Sequence, residues 1–92
     1  MILHVEYLAQ LRDAAGRERE EVSFEADPSL TDLLGEIAGR HGDAMRQLLF
    51  DAEGRPRAST LAFANGRHLP VGEASTLPDG TEVVLTTPVS GG

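Results

Sequence analysis

Thr81-Glu82-Val83-Val84-Leu85-Thr86-Thr87-Pro88 is the stretch on which the fold turns. Three consecutive apolar residues, two of them β-branched, predict a strand covered on both faces, and such a strand belongs in the middle of a sheet. Pro78-Asp79-Gly80 supplies a turn before it. Pro88 stops it, because proline has no N–H to give a ladder. A central strand so near the end needs neighbours from earlier in the chain. Residues 2–9 provide one: Leu3, Val5, Tyr7 and Ala9 fall on one face, His4 and Glu6 on the other. Val22, Phe24 and Ala26 alternate with Glu21, Ser23 and Glu25, which predicts a half-buried second strand paired with the first as a hairpin. Between them, residues 12–16 read as a short helical turn ended by Gly16, and the acidic run at 18–21 as a solvated turn.

Asp27-Pro28 breaks the second strand. Ser29 is a good N-cap, with Asp32 three residues on as a weaker capping-box partner. Leu30, Leu33, Leu34, Ile37 and Ala38 form one apolar helical stripe. Gly39 and Gly42 mark its end. Met45, Leu48 and Leu49 indicate a second short helix, and residues 51–58, with Gly54 and Pro56, a loop. Residues 61–64 make a third strand, turning at Asn65-Gly66 into a short fourth one over 67–69. The order is β-β-α-(α)-β-β-β. The last strand is expected beside the first and parallel to it, with the helix as the required crossover. This describes an α+β fold, the β-grasp of ubiquitin: a mixed sheet of four to five strands with one main helix packed on one face. The expected division is a β-grasp domain over residues 1–87 and an extended tail over 88–92.

At 92 residues the chain is one domain with a single modest core and no room for a substrate cavity, which disfavours a self-sufficient enzyme. It has no cysteine, so disulfides, thiolate metal sites and a cysteine nucleophile are excluded. The formal net charge of −7 repels phosphate backbones, so no nucleic-acid partner is expected, and it would steer a basic protein partner. All eight basic residues are arginine, so no side-chain amine is offered for isopeptide linkage. No run of apolar residues is long enough to span a membrane. Met1-Ile-Leu-His-Val-Glu carries an early acid and no basic leader, so the expectation is a cytoplasmic protein without a signal peptide.

The chemistry lies in the last residues, Val89-Ser90-Gly91-Gly92. By chance a chain ends Gly-Gly about once in two hundred cases, so the context past a central strand and a proline is what gives it weight. A carboxylate is a poor acyl donor until it becomes a mixed anhydride, usually with AMP. Two glycines leave that carbonyl unhindered, and a tail without side chains fits a narrow channel in another protein. Pro88 stiffens its base.

The chain resembles the MoaD/ThiS family of ubiquitin-like sulfur carriers, and more closely its molybdopterin synthase small-subunit branch. The resemblance is carried by the opening strand with residues 8–16, the helix after Pro28-Ser29, the Asn65-Gly66 turn, Asp79-Gly80 and Pro88-Val89-Ser90-Gly91-Gly92. It implies that an E1-like adenylating enzyme uses ATP and magnesium to activate the Gly92 carboxylate. A persulfide-bearing sulfurtransferase then converts the adenylate to a thiocarboxylate. Gly91, Ser90, Val89 and Pro88 would thread into a larger catalytic subunit, which in molybdopterin synthase delivers sulfur to a pterin precursor. The carrier itself would catalyse nothing and bind no cofactor. The loop over residues 51–58 is longer than in compact pterin and thiazole carriers, and leaves thiazole or cysteine biosynthesis open as the destination. Conjugation to other proteins through Gly92 is the alternative from another class, and a binding module with an idle tail a third.

Other constellations are rejected. His4, His41 and His68 lie on unrelated elements without ligand spacing, so no metal site is expected. Glu18, Glu20 and Glu21 read as an ordinary solvated cluster. Gly35, Gly39 and Gly42 are too sparse for a phosphate loop. Leu8, Phe63, Leu85 and Val89 gather at the sheet's end; core packing is the default for the first three. Val89 is the better partner contact, and Leu8 and Phe63 join it as interface candidates.

Overall fold

The computed structural model describes residues 1–72 and 74–88. Strand Ile2–Tyr7 (β1) leads into helix Ala9–Ala15 (α1) and strand Arg19–Ser23 (β2). Helices Leu30–His41 (α2) and Asp43–Leu49 (α3) follow, then strands Leu61–Ala64 (β3), Arg67–Leu69 (β4) and Glu82–Thr86 (β5). The sheet order is β2-β1-β5-β3-β4. β5 is central as expected, parallel to β1 and antiparallel to β3. This is the five-stranded mixed sheet of the β-grasp.

One face of the sheet makes the core. Leu3, Val5 and Tyr7 of β1, Val22 of β2, Ala62 of β3, and Val83 and Leu85 of β5 are all buried there. They meet the apolar stripe of α2, whose Leu30, Leu33, Leu34, Ile37 and Ala38 are each fully covered. The capping box holds in full: Ser29 Oγ accepts from Asp32 N–H at 3.1 Å, and Asp32 Oδ2 accepts from Ser29 N–H at 3.1 Å. α3 adds Met45 and Leu49, and α1 adds Leu11.

The boundaries near β1 differ from the alternation reading. β1 ends at Tyr7, and Ala9 opens α1 with φ +54. The expected turn at 12–16 is therefore the end of a seven-residue helix, closed by Gly16 at φ +73 with its N–H on Arg12 O. β2 begins at Arg19, so Glu20 and Glu21 of the acidic stretch are strand, and only Glu18 stays in the exposed turn. Phe24 still bonds Met1 in both directions (2.7 and 2.9 Å), but β1 then runs out of residues to pair with Glu25 and Ala26. The other strands fall where the sequence places them.

Candidate functional site

The parallel pairing of β5 with β1 decides where the chain leaves the domain. Asp79 Oδ1 accepts from Ile2 N–H at 2.7 Å and Thr81 O from His4 N–H at 3.0 Å, so the two strands start in register. They end together: Leu8 N–H donates to Leu85 O at 3.0 Å. Thr87 is buried and its hydroxyl contacts Gln10 Oε1 at 3.4 Å, anchoring the base of the terminal segment on α1. Pro88 is exposed beyond it. Val89, Ser90, Gly91 and Gly92 lie outside the described residues.

Among the described residues, no helix covers the outer face of the sheet. Across it, Arg19, Glu6, Val84, Phe63 and His68 stand in one register row spanning all five strands. Phe63 is half-buried rather than core, with its ring 5.7 Å from that of His68. Leu8 is 37% exposed, so it too leaves the core, whereas Leu85 is fully buried as expected. Leu8 follows the inward-facing Tyr7 in extended conformation, which turns it to the open side. The result is an apolar strip of Leu8, Leu61, Val84 and Phe63 beside the chain's exit. Acids border it: Glu6 lies 3.9 Å from Arg19, Glu21 lies 3.5 Å from His4, and Glu82 heads β5. That border suits a partner with an apolar centre and basic rim.

Glu20 departs most from the sequence reading. It points inward from β2, and its side chain is 3% exposed. The Tyr7 hydroxyl donates to Oε2, His41 Nε2 bonds the same oxygen, and Arg40 Nη1 donates to Oε1 at 3.2 Å. Burial alone raises a carboxyl pKa, but these three bonds together outweigh it and hold Glu20 below the usual range. Burial and the neighbouring carboxylate push the Tyr7 hydroxyl far upward. Both oxygens of Glu20 are bonded and its side chain is covered, so the cluster fastens β1, β2 and the end of α2. Among the described residues no group of His, Cys, Asp and Glu is arranged to hold a metal.

Sequence reasoning missed Thr87 and Gln10 as anchors of the terminal segment. Nothing local marks them, since the contact joins positions 77 apart in sequence.

The ThiS family matches over residues 5–92. SAMP1 from Haloferax volcanii shares 27% identity and superimposes with a TM-score of 0.86, covering 100% of both chains. A Pyrococcus furiosus protein assigned as molybdopterin converting factor subunit 1 shares 28% identity over 97% of this chain and 99% of its own, with a TM-score of 0.75. Mycobacterium tuberculosis CysO, at 18% identity, 92% and 97% coverage and a TM-score of 0.66, shares the fold. No curated protein matches the chain. With a β-grasp sheet, a family match over nearly its whole length and relatives of equal length, the chain belongs to the ThiS family of ubiquitin-like sulfur carriers and modifiers.

Proposed function

We propose that this chain is a sulfur carrier and that the carboxyl group of Gly92 is its working part. The observation that carries the reading is that the family match runs to residue 92 and so includes Gly91 and Gly92. An E1-like enzyme joins the Gly92 carboxylate to the α-phosphate of ATP, with magnesium, and releases pyrophosphate. The terminal sulfur of a donor persulfide attacks the acyl carbon, and AMP leaves. A thiol of the donor protein then takes the inner sulfur into a disulfide, and the thiocarboxylate is freed. Such a thioacid is ionised at neutral pH and is a soft nucleophile. The domain's contribution is positional: Thr87 holds the base of the terminal segment, and Leu8 and Phe63 offer an apolar strip for docking.

Delivery to a pterin precursor, in the pocket of a molybdopterin synthase large subunit, is the destination favoured by the likeness to molybdopterin converting factor subunit 1. A second reading, conjugation of Gly92 to amines of other proteins, is favoured by the likeness to the H. volcanii small archaeal modifier protein 1 at 26% identity. Both need the same activated end. The test is reconstitution with the adenylating enzyme and Mg-ATP. Pyrophosphate release should depend on Gly92, and deleting Gly92 should abolish it while leaving the thermal midpoint unchanged. Equal release from the truncated chain refutes the assignment. Larger conjugates in place of a thiocarboxylate select the second reading.

A further inference from the structure

A groove of about 340 Å³ opens at the base of the terminal segment. Gln10 of α1, Leu48 of α3, Arg57 and Ser59 of the following loop, and Thr87 and Pro88 line it. Arg57 is the residue to explain. Its backbone N–H donates to Leu49 O at 2.8 Å and its Nε to Gln47 O at 2.7 Å, both in the last turn of α3. These two bonds cap carbonyls that the helix leaves open, and they also fix the guanidinium in place. The two terminal nitrogens are left over. Among the described residues no carboxylate lies within 4.0 Å of them; Arg46 and Arg67 also lack one, but of the three only Arg57 lines the groove. Asp51, whose charge Arg57 feels, is already engaged: Oδ1 accepts from Glu53 and Arg55 N–H, and Oδ2 lies 3.8 Å from Arg55.

We propose that this groove receives an Asp or Glu side chain of the adenylating enzyme, gripped by the free edge of Arg57 while that enzyme holds the tail. The inference rests on the carrier reading above, because the tail is what brings the enzyme over Pro88. A fixed guanidinium presents parallel donors that match a carboxylate. Half-buried Leu48 gives the methylenes of that side chain an apolar floor. On a chain of net charge −7, an acidic group is repelled almost everywhere else. One pre-placed cation beside the exit therefore sets the docking register more sharply than one more acid would.

The test measures binding of the full-length chain to the purified adenylating enzyme of the same organism, by calorimetry over a salt series. Arg57→Glu should weaken binding about tenfold at low salt. Arg57→Lys, which keeps the charge but loses the paired donors, should weaken binding less than Arg57→Glu and keep the salt dependence, whereas Arg57→Gln should reduce that dependence. Thermal midpoints of the three variants separate lost charge from the lost cap on α3. If Arg57→Glu does not fold, the contrast between Lys and Gln decides. A charge reversal in the enzyme that restores binding of Arg57→Glu establishes the contact. Wild-type binding by Arg57→Glu overturns it. So does a shift in the titration of a ¹³C-labelled Gly92 carboxyl in isolated Arg57→Gln, which would make the chain's own end the occupant. If wild type is adenylated while Arg57 is indifferent, only this inference fails. If wild type is neither bound nor adenylated, the carrier reading fails and takes this one with it.

Discussion

Glu20 sits in a stretch that carries acid at three of four positions, Glu18, Glu20 and Glu21. Its neighbours in sequence face water, while it alone turns toward the helix side and finds Tyr7, Arg40 and His41. Composition spoke for solvent; the pleat of β2 overruled it, because alternate residues face opposite sides. No local signal announces the partners, which come from β1 and from the last turn of α2. Removing the carboxylate strands buried donors, so Glu20→Ala should cost about 3 kcal/mol in denaturant unfolding. The pH dependence has a definite sign. The folded-state pKa lies below the ordinary 4.5, so the stabilisation is complete above that value and is lost as pH falls through the lower folded-state value. The thermal midpoint should drop in acid below about pH 4.5, and Glu20→Gln should flatten that drop. Equal acid slopes in wild type and Glu20→Gln would remove the cluster from the account.

Elements with a single strong periodicity were legible from residues alone. The stripe of α2, its Ser29 cap, and β3, β4 and their turn all stand where spacing put them. The hairpin turn shows why: Asn65 at φ +50 and Gly66 at φ +83 adopt the left-handed region that Asn-Gly favours. Asn65 also exchanges bonds with Glu82 of β5, its N–H to the carbonyl at 2.8 Å and its Oδ1 from the amide at 2.9 Å, so the turn is bound to the central strand as well. A Cβ on Gly66 would meet nothing within 4 Å, leaving only the backbone cost. Gly66→Ala should therefore lower stability by about 1 kcal/mol without changing the fold. A much larger loss, or altered β3–β4 amide exchange, would contradict this. β2 was misplaced because Val22, Phe24 and Ala26 alternate as a strand should, while the length of β1 sets how far pairing extends. That limit is tertiary, so alternation alone cannot report it.

For the molecule as a whole, the family was legible because a fold pattern and a terminal motif pointed the same way, and the match over residues 5–92 bears that out. The apolar strip on the open face of the sheet was less legible. Leu8 and Phe63 look like core in sequence, and only the one-sided packing of the sheet turns them outward. Val89, just past Pro88, is proposed to extend that strip into a partner. Val89→Asp should weaken binding to the catalytic subunit at least tenfold through a buried charge without a mate, with an unchanged thermal midpoint. An unchanged dissociation constant would take Val89 out of the interface.

The central claim is chemical, and the intact mass of the protein isolated from its native host tests it most directly. The account predicts a fraction of chains ending at Gly92 with one sulfur in place of a terminal oxygen. Chains that continue past Gly92, or that end there unmodified under every sulfur supply, would contradict it.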